Sequence, residues 1–194
     1  MQFSALAIFG LIGSTLAGKI APAEKRQGQD QVSSIEMRVA DVASIEAAIA
    51  TASGEITSFN NAVAAFDGAT PENSIAFLTS FSQLGITINT VSQTVLISGL
   101  LSVADSGAVY PDVALFTTSL SRAVAGIQGK SAPIATSGFG GVVCASLESL
   151  LVEVELLLET VEAVFDISYE NLIGVLADQV DVQFEVAIGA FCLA

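Results

Sequence analysis

Apolar residues recur along this chain at the spacing of an amphipathic helix, in one segment after another. From Gln31 to Phe66 they fall at Val32, Ile35, Val39, Val42, Ile45, Ile49, Ile56, Phe59, Val63 and Phe66. Most steps are three or four residues, the helical period. Gly54 is a candidate kink, and Asp67-Gly68 closes the segment. Thr70-Pro71-Glu72 then reads as a helix start: a Thr cap, Pro at the first helical position and an acid in the first turn. Phe77, Phe81, Leu84, Ile88, Val91 and Val95 follow in steps of 4, 3, 4, 3 and 4.

Asp105-Ser106-Gly107 and Tyr110-Pro111 predict a loop, and Val113, Phe116, Leu120, Val124 and Ile127 a shorter helix ending at Gly129. Ser131 to Gly141, with Pro133 and three glycines, predicts a mobile connection. Val143 to Phe165 is the strongest helix. Leu147, Leu151, Val154, Leu158, Val161 and Phe165 form its seam, and Leu150, Leu157 and Val164 widen it. A last helix runs from about Ser168 to Phe191, with Leu172, Leu176, Val180, Phe184, Ile188 and Phe191 on one face. No alternating strand pattern occurs. The expected fold is all-α: an up-and-down bundle of about five or six helices.

The first residues belong to a different pattern. Phe3 to Leu16 is a short apolar run, too short to span a membrane, which takes roughly 20 residues. Thr15-Leu16-Ala17 supplies small residues where a signal peptidase cuts. Lys25-Arg26 is a dibasic processing site. The expected organisation is a signal peptide over 1–17, a propeptide over 18–26 and a helical domain over 27–194. Secretion makes a disulfide between Cys144 and Cys192 the natural state of the two cysteines.

Processing leaves Arg38, Arg122 and Lys130 against 19 acidic residues, a net charge of −16. Such a surface repels nucleic acid and anionic headgroups. Yet hydrophobic residues make up 52 % of the chain and mean hydropathy is +0.70. That excess needs a larger core, a cavity for an apolar ligand or an external apolar surface. It is most pronounced from Asn73 to Ala104, where no residue is charged. Two readings stay open for this segment: a central helix packed on several sides, or a helix facing something apolar outside the protein.

Catalysis has little to work with. His is absent, which removes the Ser–His–Asp triad and the commonest metal ligand. Glu155 and Glu159 share a helical face, but it is the polar stripe of an amphipathic helix, where carboxylates are solvated. No calcium-loop spacing occurs. Gly138-Phe139-Gly140-Gly141 lacks the preceding strand and the lysine of a phosphate loop, and reads as a hinge. No cofactor or metal is expected. Hydrophobic binding remains, with Phe77, Phe81, Leu84, Ile88, Val91, Phe116, Leu120, Leu151 and Leu158 as candidate ligand-lining residues.

The leader, the Lys25-Arg26 site, Val39-Ala40-Asp41-Val42-Ala43-Ser44-Ile45, Phe59-Asn60-Asn61-Ala62-Val63 and Phe66-Asp67-Gly68 together resemble the fungal hydrophobic surface-binding protein A family, which includes antigenic cell-wall galactomannoproteins. The resemblance spans about Gln31 to Phe191. It implies a secreted, non-enzymatic all-α protein of the cell wall or medium. Its implied partners are hydrophobic surfaces, fatty acids and secreted polymer-degrading esterases. A structural or antigenic wall component with a filled core is the alternative. The chain departs from wall-anchored members: Val186 to Ala194 is apolar but lacks the polar spacer of a lipid-anchor signal.

Overall fold

The computed structural model describes residues 41–192. The expected leader and processing site, and the residues 31–40 assigned to the first helix, lie outside them. The described residues form six α-helices: α1 Val42–Ala65, α2 Pro71–Ser98, α3 Val103–Gln128, α4 Ser131–Thr136, α5 Gly140–Val164 and α6 Glu170–Cys192, with a single 3₁₀ turn at Ile167–Tyr169.

The five long helices close a ring. α1 packs on α2 and α3, α2 on α5, α5 on α6, and α6 back on α3. The chain runs up and down, but the ring does not follow chain order, so some neighbours are parallel. Asn89 and Ser92 of α2 meet Glu153 and Thr160 of α5 in increasing order, which makes that pair parallel. Phe59 of α1 and Phe66 at its C-cap meet Phe81 and Phe77 of α2 in opposite order, an antiparallel hairpin. Each long helix turns its apolar stripe inward, and the stripes fuse into one core.

The turns are held by named polar groups. Asp41 caps α1 by accepting the Ser44 N–H at 3.1 Å. Asp67 accepts the N–H groups of Ala69 and Thr70 at 2.9 and 3.1 Å and swings the chain into α2. Those bonds hold its carboxyl below the ordinary value. Gly68 has φ +73°, and a Cβ there would lie 2.7 Å from the Pro133 carbonyl oxygen of α4. Lys130 donates its Nζ to the carbonyls of Ala64 and Phe66 at 2.8 and 3.0 Å, closing the C-terminus of α1.

Three local expectations are corrected. The loop expected around Asp105-Ser106-Gly107 and Tyr110-Pro111 is the first part of α3, with Pro111 inside the helix. Ser102 caps it, accepting the Asp105 N–H at 3.2 Å, and fully buried Ser106 accepts the Asp166 N–H at 2.9 Å. Tertiary anchoring outweighs the single backbone bond that proline removes. The connection expected over Ser131 to Gly141 contains α4, whose Ile134 is buried in the core. Gly54 does not break α1, and the buried stripe continues on both sides of it through Ala52 and Ile56.

Cys144 and Cys192 form a disulfide, with Cα atoms 5.3 Å apart. It ties the start of α5 to the end of α6 across a sequence separation of 48. Replacing both cysteines by serine is expected to cost roughly 4 kcal/mol in chain-entropy terms, read from urea unfolding. Lys130→Met is expected to cost about 1–2 kcal/mol in the same assay, because it leaves the α1 carbonyls without their charged donor.

Candidate hydrophobic binding site

The inward-facing residues form layers along the ring. At one end, four phenylalanines of the α1–α2 hairpin pack ring against ring. Phe81 sits edge-on to Phe59 at 4.9 Å and to Phe77 at 5.3 Å, and Phe66 lies 4.7 Å from Phe77. Leu84, Ile88 and Val91 continue the α2 seam toward the other end, all buried. Phe116 and Leu120 enter from α3 and Leu158 from α5, also buried, whereas Leu151 is only half-buried against the core edge. Phe77 and Phe81 therefore touch directly, and the other candidates belong to the same continuous core.

The core holds no buried charge among the described residues, only hydroxyls. Thr117 returns its hydroxyl to its own helix, at 3.1 Å from the Val113 carbonyl. Ser92 and Thr160 hydrogen-bond to each other at 3.1 Å across the α2–α5 interface, and Thr160 also donates to the Leu156 carbonyl at 2.7 Å. The Ser121 hydroxyl is buried without a partner. These hydroxyls leave the interior apolar while satisfying most of its polar atoms.

Two open grooves flank the core. One, of about 440 Å³, lies between the α1–α2 turn and the start of α5 and is lined by Pro71, Ile75, Leu78 and Phe139 among others. Sequence reasoning missed it, because Phe139 sits in a segment expected to be a mobile hinge. The other, of about 310 Å³, lies between α5 and α6, where Leu158 and Ile173 are rimmed by Glu155, Glu159, Glu162 and Asp181. Burial, then the charges of Asp178 and Glu185, push the Asp181 carboxyl above its ordinary 3.8. Its Oδ1 makes no hydrogen bond. The metal-capable trio of Cys144, Glu148 and Cys192 has both sulfurs committed to the disulfide.

The outer surface of α2 bears on both readings of the uncharged segment. α2 packs on α1 and α5 and leaves its third side to solvent. The segment is thus packed on two sides and lacks charge on a third side that is exposed.

A family profile described as hydrophobic surface binding protein A matches residues 42–163, from the first residue of α1 almost to the end of α5. The chain belongs to the hydrophobic surface binding protein A family. Its fold recurs in the crystal structure of Afmp4p in complex with palmitic acid, with a TM-score of 0.74 and 20% identity, covering 78% of this chain and 99% of that one. It recurs in ligand binding domain 1 of the Penicillium marneffei MP1 protein complexed with arachidonic acids, with a TM-score of 0.72 and 21% identity over 78% and 98% of the two chains. Ligand binding domain 2 of the same protein, complexed with multiple arachidonic acids, gives 0.72 and 20% over 78% and 96%. Comparison with curated protein sequences gives no match. What persists between this hydrophobic surface binding protein A member and those structures, at such low identity, is the five-helix ring.

Asp181 gives this site a pH signature. Its raised carboxyl binds a proton more tightly folded than unfolded, so its charge costs stability above the folded pKa, and the cost vanishes below the ordinary 3.8. Asp181→Asn is expected to raise the melting temperature at neutral pH and to leave it unchanged at about pH 3, read by circular dichroism.

Proposed function

We propose that this protein is a secreted, non-catalytic binder of apolar matter, taking up fatty acyl chains between its helices and meeting hydrophobic surfaces at the cell wall or in the medium. The observation that carries this reading is the closed ring of five amphipathic helices around an interior with no charged group. Family membership supports it, as does the recurrence of the same ring in proteins solved with palmitic and arachidonic acids. The signal-peptide pattern and the disulfide support export.

The energetics suit a modest lipid affinity. About 15 methylenes leaving water gain on the order of 12 kcal/mol. Association costs of about 4–15 kcal/mol offset much of that. Side chains must also move, because Phe77, Phe81 and Leu84 are packed together. The acyl chain is held by displacement of flexible apolar side chains rather than by a rigid slot. That close packing also favours a second reading, a structural wall component whose core stays filled.

Palmitate separates the two. The native protein, titrated with palmitate and weighed intact under native spray conditions, is expected to carry one or more acyl chains. Phe81→Ala removes the ring that bridges Phe59 and Phe77 and is expected to cost about 3–5 kcal/mol. Palmitate at about 100 times its Kd is expected to return about 2.7 kcal/mol to that variant. A filled structural core gives neither the mass increment nor the thermal recovery.

A further inference from the structure

The solvent side of α2 is built to lose its water. Along it lie Ile75, Thr79, Ser82, Ile86, Thr90 and Gln93, ending at Leu100, and all are exposed. Ile86 is 60% exposed and Leu100 77%. After Glu72 there is no charge on this side for the rest of the helix, about 42 Å in all at 1.5 Å per residue. Several of the hydroxyls along α2, Thr90 on this side among them, are already bonded to its own backbone. Thr90 donates to the Ile86 carbonyl at 2.9 Å, Thr87 to Gln83 at 3.0 Å and Thr94 to Thr90 at 2.9 Å. A hydroxyl bonded in this way keeps its partner when water leaves, so its burial costs little and the threonine methyl counts as apolar surface.

The same side continues around one end of the bundle. The Leu101 N–H donates to the Val164 carbonyl at 2.8 Å and pins the α2–α3 connection against the end of α5. Leu100 and Val103 are thereby set at the same end as Ile167, which is 82% exposed. Among the described residues, six of the fifteen large exposed hydrophobics lie between Ile75 and Val103. Most acidic residues lie elsewhere: Glu148, Glu155, Glu159 and Glu162 on α5, Asp178, Asp181 and Glu185 on α6, while Glu153 accepts from Asn89 of α2 at 3.1 Å and Asp105 and Asp166 lie close to Val103 and Ile167 in sequence.

We infer that the outer side of α2, continued by Leu100, Val103 and Ile167, is the surface by which the protein lies down on an extended, uncharged apolar surface. The occupant follows from charge. A side without lysine or arginine has nothing for an anionic headgroup or a nucleic acid. The chain carries a net charge of −14, and the acidic helices α5 and α6 keep their carboxylates in water when α2 is down. A straight helical side suits a broad surface, whereas a single acyl chain calls for a pocket. This rests on the apolar-binding reading above but uses different atoms: the inward residues hold the acyl chain and the outward ones meet the surface.

The test puts charge on the proposed side and on a control side. The double variant Ile86→Glu/Leu100→Glu is compared with Val175→Glu/Val182→Glu, which alters exposed positions of α6. Partition of the full-length, disulfide-bonded protein onto octadecyl-coated silica beads is measured beside palmitate binding by intact mass. The α2 variant is expected to lose about tenfold or more of its bead affinity with palmitate binding kept, while the α6 variant changes little. Equal losses in both variants, or no loss in the α2 variant, overturn the assignment, and melting curves confirm that each variant is folded. Wild-type protein that takes palmitate but ignores the beads overturns the surface and leaves lipid uptake standing. Protein that takes neither also defeats the reading beneath it. A concentration-dependent dimer that Ile86→Glu/Leu100→Glu abolishes makes a second copy the occupant instead and likewise overturns the inference.

Discussion

Closure of the helical ring is the constraint on which the structure depends. Each long helix carries an apolar stripe too wide for one neighbour to cover. A two-helix or three-helix arrangement leaves part of every stripe in water. Five helices in a ring give each helix two flanks and a shared interior, and only then are Phe59, Phe77, Leu84, Leu120, Leu147 and Phe184 all withdrawn from solvent together. The ring is completed by non-sequential partners, α2 with α5 and α3 with α6, so the connections must cross the ends of the bundle. The end groups reflect this. Lys130 closes α1 from beyond α3, Leu101 bonds to α5, and Ser106 of α3 bonds to the Asp166 turn before α6.

The same closure separates two apolar surfaces that lie on one helix. The inward stripe of α2 belongs to the core, and the outward side belongs to no other part of the described chain. Ordinary surface helices carry charge on that side, as α5 and α6 do here. On α2 the polar positions after Glu72 are Ser, Thr, Asn and Gln, with several hydroxyls bonded back to the helix, which lowers the cost of dehydration there. Net charge does the complementary work. The chain has 20 acidic residues against 6 basic ones, and net charge of that size opposes self-association.

Helical periodicity was sufficient to read the class of fold, most of the inward stripes of α1, α2, α5 and α6 (on α6 Leu172 is exposed and Ile173 takes its place) and, with the expectation of secretion, the Cys144–Cys192 bond. It failed where tertiary contact overrides local preference. Pro111 and Gly107 signal a loop, yet buried Ser106 and the Ser102 cap hold that segment in helix. The α4 segment has too few residues to show a period, and only the burial of Ile134 under the neighbouring helices explains it. The inward orientation of Phe77, Phe81, Leu84, Ile88 and Val91 was legible, because one helical face contains them. Their close packing was not, since periodicity places a residue on a face without saying how nearly the opposite faces meet. Nor was the exposure of the uncharged side of α2 legible, because ring order is set by contacts far apart in sequence.

The central claim is that the interior of the ring yields to an acyl chain. Amide hydrogen exchange, followed segment by segment with and without saturating palmitate, addresses it directly. Slower exchange is expected in α2 and α5 together, the parallel pair joined by Ser92 and Thr160, because a chain lodged between helices stabilises the folded ring as a unit. Unchanged exchange throughout, at palmitate concentrations that fully load the protein by mass, would contradict it.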